Sequence, residues 1–325
     1  MKTALHLLSM SLFLLLTIYA SAQASPSTLL EHAYLLRSAG NNRAAITLLE
    51  PLVGKESRWS SPLERGKAWN LMGAAYQDGG MFREARHCHE TAIGILRAVP
   101  NGKQELASAL DNLGSVENAI GTPESSRSLR ESAHRLYAEL EDPAGLARTS
   151  NNLAVIAIHQ EDFKAAKRYA KSAMEYARRA QALDDDDRGA LASVSGTIAM
   201  HNGDLRTAAE YFSGAIAAWT QKHGEQYWMV GLGYSLRAQA YGEMREQRHA
   251  FSDMDRALKV EANSVGKGAA LYWRTELLHA GLLRKFGDNA SAARLEQTSK
   301  TELAQVEREQ YTGCVMTVAG FQPNR

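Results

Sequence analysis

Cysteine is almost missing from this sequence: Cys88 and Cys314 are the two in 325 residues. That excludes the disulfide framework that staples small exported domains. Charge of a dominant sign is missing too. Lys and Arg number 37 against 36 Asp and Glu, and loss of Lys2 with a leader makes the two counts equal. A neutral chain lacks the basic stripe that nucleic acid demands, so no nucleic-acid partner is expected. After the first two dozen residues no stretch is long and apolar enough to span a bilayer. There is no phosphate-binding Gly-rich loop with its Lys and Ser/Thr, and no His-Glu-x-x-His. No cofactor and no metal are therefore expected.

The one apolar run lies at the N-terminus. Lys2 gives a short positive start, and Leu5 to Ile18 is apolar, with Leu12-Phe13-Leu14-Leu15-Leu16 at its centre. Ala20-Ser21-Ala22 fits the small-x-small cleavage rule, so residues 1–22 read as a secretory signal peptide. Ala22-Gln23-Ala24 offers an alternative cut after Ala24, and an uncleaved anchor is the other reading. The run is short for a span of roughly 20 residues, and no Cys follows it to carry a lipid. Export, to a periplasm or outside the cell, is the expectation.

What the chain does have is a pattern repeated seven times at a spacing of 40 to 42 residues. A small residue stands at Ala33, Gly73, Gly114, Ala154, Gly196, Ala238 and Ala280. Twelve residues after each comes a second: Ala45, Ala85, Ser126, Ala166, Ala208, Ala250 and Ala292. Self-similarity at this period marks a repeat array. Around Gly73, residues Trp69, Met72 and Tyr76 share one helical face. Gly80 breaks that helix, and Phe82, Ala85 and Ile93 begin a second apolar stripe. Each repeat is therefore a pair of antiparallel helices that cross closely where the two small residues meet. In such an elongated array Cys88 and Cys314 lie far apart, and two unpaired thiols are expected, with an intermolecular link as the alternative.

The turn inside each pair is punctuated in phase. Gly40, Gly80, Gly121, Gly203 and Gly287 fall seven residues after the first small residue. The next position supplies Asn41, Thr122, Asp162, Asp204 and Asp288, all residues that cap a helix N-terminus by accepting from its free amides. Arg245 replaces the turn Gly in the sixth repeat, and Met81 and Glu246 are poor caps, so the second and sixth turns are the less well specified.

These positions resemble the tetratricopeptide repeat. The period of about 42 rather than 34, with Asn112-Leu113-Gly114 and Asn151-Asn152-Leu153-Ala154, is similar to the kinesin light chain variety. The resemblance covers residues 26 to about 306. It implies an all-α, right-handed α-solenoid of about seven antiparallel helix pairs, with repeats near 26–65, 66–106, 107–146, 147–188, 189–230, 231–272 and 273–306 inside a solenoid of 23–306. The third repeat departs from the family pattern with Glu117 and Ser126, the seventh with Leu283 and Ser299. No coiled-coil heptad region is present, so attachment to a motor does not carry over. Residues 307–325 form a C-terminal cap or a tail, with Val315, Met316, Val318 and Phe321 available to cover an open end.

Candidate chemistry is sparse. His87 and His89 are two apart and diverge by about 200° on a helix, so they do not form a metal pair and read as surface residues. Asp184-Asp185-Asp186-Asp187 lacks the Gly and the final Glu of a calcium loop and reads as a solvated loop with one acid capping the next helix. Ser264-Val265-Gly266-Lys267 matches a Ser-x-x-Lys string without the motifs that accompany it in enzymes.

The resemblance places binding on the concave face, lined by the first helix of each repeat. Carried over residue by residue, the lining includes Asn70 and Gln77, then Asp111, Asn112, Ser115 and Asn118. It continues with Arg148, Asn151, Asn152 and His159, then Ser193, Thr197 and His201, and finally Ser235 and Gln239. Asn offers a donor and an acceptor, which suits the backbone of an extended peptide. His159 and His201 hold equivalent places in adjacent repeats, and a groove that gains charge below roughly pH 6.5 follows if both titrate freely. Arg148 against Asp111 does not resemble the multi-cation clamp with which some family members hold a carboxylate terminus. The expected function is an exported, non-catalytic scaffold binding a protein or peptide. The alternatives are an assembly spacer working through its convex face or ends, and a hydrolase or transferase using His159, His201 and Asp111.

Overall fold

The computed structural model describes residues 25–38 and 40–310. The expected signal peptide, Cys314 and the apolar tail residues lie outside these. Among the described residues there are fourteen α-helices, one short 3-10 turn at Glu56–Arg58, and no strand. They pair as expected: α1 (Pro26–Ser38) with α2 (Asn42–Val53), α3 (Pro62–Asp78) with α4 (Phe82–Leu96), and α5 (Lys103–Ala119) with α6 (Pro123–Glu139). Next come α7 (Pro143–His159) with α8 (Phe163–Arg179), and α9 (Asp185–His201) with α10 (Leu205–His223). The last pairs are α11 (Trp228–Glu243) with α12 (Gln247–Ser264), and α13 (Ala270–Lys285) with α14 (Asn289–Gln310). The chain is an all-α helical repeat solenoid. It divides into two compact parts between Asn112 and Leu113, within α5. No described helix is long and apolar enough to cross a membrane.

The small-residue pair is the hub of every repeat. Ala45, Ala85, Ser126, Ala166, Ala208, Ala250 and Ala292 are all 0% exposed, and the first small residue is buried in all seven repeats. Where that first residue is Gly, a large side chain sixteen positions on fills the space. A Cβ on Gly73 would stand 2.7 Å from the His89 ring, on Gly114 2.9 Å from Arg130 Cγ, and on Gly196 2.5 Å from the Phe212 ring. Where it is Ala, the residue sixteen positions on is aliphatic in three repeats: Leu49 after Ala33, Ala170 after Ala154 and Met254 after Ala238, all buried. The pair exchanges volume so that the crossing stays filled, as close-packed interiors require.

The turns share one backbone path. Gly40, Gly80, Gly121, Gly203 and Gly287 all have φ between 74° and 95°. The two repeats without Gly bend the same way, at Glu161 (φ 58°) and Arg245 (φ 61°). In all seven the next amide bonds five residues back, from Asn41 N to Leu36 O in the first repeat and Asp288 N to Leu283 O in the last. This is the 6→1 bond of a Schellman closure. Arg245 also donates to Lys285 O at 2.8 Å, so the sixth turn is as well defined as the rest. The N-caps follow expectation in part. Asp162, Asp204 and Asp288 accept from Ala165, Thr207 and Ser291 amides. Asn41 makes no capping bond, and Thr122 turns its hydroxyl back to Glu117 O, 2.8 Å away.

Two outcomes test this packing. Gly196→Ala should lower stability by about 1–3 kcal/mol in urea unfolding, because the Phe212 ring has nowhere to retreat. Glu161→Gly should raise it by roughly 0.5–1 kcal/mol by relieving a left-handed non-glycine residue. An unchanged midpoint for Gly196→Ala contradicts the crossing geometry.

Candidate functional site

In the C-terminal part, α7 offers the clearest accessible face. From Gly145 to His159 every residue is buried except Arg148, Asn152, Val155 and His159. Their spacing of four, three and four puts them in one stripe along the helix. Arg148 is held in place: Nη2 donates to the Tyr137 hydroxyl at 2.8 Å, its guanidinium lies 5.5 Å from the Tyr137 ring centre, and Nη1 is 3.6 Å from Asp187 Oδ2. Asn118 and Ser115 on α5 are half-buried like the stripe residues. Asn151, by contrast, is 3% exposed and turns its amide inward, so it does not line an open surface.

The first helices after α7 are more closed than the sequence led us to expect. Ser193, Thr197 and Ser235 are buried. Thr197 donates to Ser193 O and Ser235 to Leu232 O, within their own helices. Gln239 likewise donates to Ser235 O.

The two histidines expected to match do not. His201 is exposed and stacks flat on Phe163, ring centres 3.4 Å apart. His159 is half-buried, and its Nε2 is buried without a hydrogen-bond partner. Burial, then the charges of Arg130 and Arg274, hold the His159 pKa below the ordinary imidazole value. His159 therefore gains charge only at a pH below the range expected for a free imidazole. Among the described residues no carboxylate orients either ring, as the third group does in a nucleophile–base–orienter triad.

In the N-terminal part the asparagines are bonded to structure. Asn70 Oδ1 lies 2.8 Å from His89 Nδ1 and accepts from Asn112 Nδ2 at 3.1 Å, while Asn70 Nδ2 donates to Ser108 at 3.4 Å. His89 is 0% exposed, which corrects the surface reading of that residue. Burial and the nearby Arg37 push its pKa down to about 3, so the ring is neutral and the network is uncharged. His87 is exposed and sets its edge to Trp69. Asp111 is 3% exposed. Gln77 is half-buried, with Oε1 unpartnered.

The remaining candidates are structural. Cys88 is a buried free thiol, pushed up to about 12 by burial and then by Glu84 and Glu50, the opposite of an activated thiolate. The Asp run forms the start of α9 rather than a loop. Asp184 caps the Asp186 amide, and Lys222 bridges Asp184 and Asp186 at 2.5 and 2.7 Å. Among the described residues no group of three or more His, Cys, Asp or Glu could hold a metal ion. Ser264 ends α12 and donates to Val260 O.

One acid escaped the sequence reading. Glu261 is 0% exposed; Oε1 accepts from Thr275 at 3.0 Å and Oε2 has no partner. Burial, then the nearby Glu276, raises its pKa to about 8 against the single opposing bond from Thr275. It stands where Leu96 and Trp219 stand in other repeats. Each packs on a glycine thirty residues earlier, Gly66, Gly189 and here Gly231. That register was the available signal. A sealed carboxyl has no route to substrate, so the perturbation is structural.

This geometry defines the class: a solenoid of helix pairs that cross at small residues. Residues 105–179 match the tetratricopeptide repeat model, and the helix pairs on either side are similar to it in their small-residue crossing and their turn. The human SH3 domain and tetratricopeptide repeat-containing protein 2 is 30% identical over 138 residues, covering 42% of this chain and 10% of that protein. The chain thus spans about a tenth of the length of that curated relative. Among solved structures, a Rap protein complexed with competence and sporulation factor aligns at TM-score 0.58 and 14% identity, over 88% of this chain and 98% of that one. Aspartyl phosphate phosphatase F from Bacillus subtilis aligns at TM-score 0.60 and 15% identity, over 93% and 76%. At such identities these likenesses show the fold alone.

Asn70→Ala should cost about 1–3 kcal/mol, since it leaves buried His89 Nδ1 unpaired; urea unfolding reads this directly. Glu261→Gln tests the buried acid. Because the folded pKa is raised, its contribution is full below about 4.5 and is lost as pH rises through about 8. The melting temperature of the natural chain should fall relative to the Gln variant between pH 5 and 9. Parallel curves contradict the assignment.

Proposed function

We propose that this chain is an exported, non-catalytic scaffold that holds a protein or extended peptide segment along the groove of its first helices. The observation that carries the reading is the α7 stripe of Arg148, Asn152, Val155 and His159, the accessible face of an otherwise buried helix. Its amide and charged groups suit a peptide backbone, and Val155 supplies apolar contact. Support for an occupant comes from the Rap neighbour, which is complexed with competence and sporulation factor. Export rests on the N-terminal apolar run with its small-x-small box. A buried Cys88 thiol pushed up to about 12, and a His201 ring stacked on Phe163, support a non-catalytic role.

A second reading, a spacer docking by its end, is favoured by α1, where Tyr34 and Leu35 are 57% and 59% exposed. Capture from the native host separates the two. The chain from residue 23 should retain a partner that Val155→Arg loses by at least about tenfold, roughly 1.4 kcal/mol. Tyr34→Ser/Leu35→Ser should capture as well as the natural chain. The reverse pattern moves the site to the end of the array.

A further inference from the structure

Positive charge is gathered on one helix of an otherwise balanced chain. α8 carries six Lys and Arg against the single acid Glu175, whereas α6 and α12 each hold three cations and three acids. At about 100° per residue, Lys164, Lys167, Arg168, Lys171, Arg178 and Arg179 fall within a stripe about 120° wide and about 22 Å long. All six are exposed, and the buried Ala165, Ala166, Ala170 and Ala173 take the opposite side of the helix. Three of the cations have contacts of their own. Lys171 lies 4.0 Å from Glu175, Arg168 stands 5.3 Å from the Tyr169 ring centre, and Arg179 stands 5.8 Å from that of Tyr176. Lys164, Lys167 and Arg178 have no ion pair, hydrogen bond or ring contact among the described residues. Much of this placement works against the free helix. Like charges three and four residues apart repel, and Lys164 sits in the first turn, where a cation opposes the helix dipole.

We propose that the α8 stripe docks this chain on a bilayer surface rich in anionic phospholipid. Its cationic groups are spread along an open ridge on flexible stems rather than gathered in a pocket. The fixed carboxylates of a folded partner call for a set geometry, whereas a fluid sheet of phosphates rearranges to meet dispersed charges. The attraction reaches about 8 Å at physiological salt, so a chain of net charge +1 can dock by one ridge. Nucleic acid would demand a wider basic surface than α8 alone supplies. Tyr169 and Tyr176, half-buried along one flank of the stripe, have the apolar body and polar tip that suit the depth of lipid headgroups. On either reading of the N-terminal apolar run, leader or anchor, the chain meets a bilayer. The stripe lies on a second helix, away from the face of the first helices. Lipid docking therefore leaves the groove free and brings no protein to Lys171.

The test is co-sedimentation of the chain from residue 23, which retains every described helix, with vesicles. It should bind vesicles of equal parts phosphatidylcholine and phosphatidylglycerol, fail to bind phosphatidylcholine alone, and release as salt is raised. Lys164→Glu/Lys167→Glu should weaken binding at least about tenfold. The same variant should melt at or above the temperature of the natural chain, since both changes relieve repulsion and favour the helix N-terminus, so unfolding does not explain its loss. Arg248→Glu/Lys259→Glu, two exposed positions on α12, makes the same change of net charge and should bind as the natural chain does. Equal binding by the two double variants overturns the proposal, because net charge and not the stripe is then at work. Failure of the natural chain to bind the anionic vesicles also overturns it, and retention on immobilised polyglutamate in that case assigns the stripe to an acidic protein. Each of these results leaves the groove reading standing.

Discussion

The close crossing of two helices at a pair of small residues is the constraint on which the rest of this structure depends. In every repeat the second small side chain is fully buried, and no methyl group can be added at Gly73 or Gly196 without striking a ring. Once the axes are held this near, the turn between them must be short. The left-handed residue and its five-back amide bond then recur in all seven repeats, with or without glycine. Packing sets the backbone here, and local preference follows it. Glu161 and Arg245 adopt a conformation that costs about 1–2 kcal/mol for a non-glycine residue because the crossing leaves no other path.

The same constraint shapes the candidate site. Helices packed this tightly bury most of their first-helix side chains, so the accessible polar surface is narrow. Serine and threonine on α9 and α11 turn their hydroxyls into their own helices and leave a floor of small residues. On α7 the longer Arg148, Asn152 and His159 still emerge. In the third repeat Gly114 and Ser126 accommodate the buried guanidinium of Arg130 at the crossing.

Much of the fold was legible in the sequence because its signal is periodic. Small residues at a fixed spacing, turn glycines seven positions on, and aspartate caps at Asp162, Asp204 and Asp288 each report a backbone requirement that one residue type meets. The site was less legible because Asn serves a groove and an interior equally well. Asn152 stays accessible, Asn151 is buried one residue away, and Asn70 with Asn112 supports His89. Equivalent repeat positions also diverge with their neighbours: His201 finds Phe163 to stack on, while His159 keeps a buried Nε2 without a hydrogen-bond partner. Glu261 occupies a slot that is apolar in other repeats, and nothing in its local sequence distinguishes it from a surface acid. Only alignment in the thirty-residue register to Leu96 and Trp219 exposes it.

The central claim is that the first-helix face of the C-terminal part is where a partner lies. Site-specific photo-crosslinking in the native host tests it most directly. A photoreactive residue at Asn152 should form a covalent adduct with a partner, and the same residue at Lys171, whose side chain is 79% exposed on the second helix of that repeat, should not. An adduct at Lys171 and none at Asn152 would contradict the account and assign binding to the opposite face.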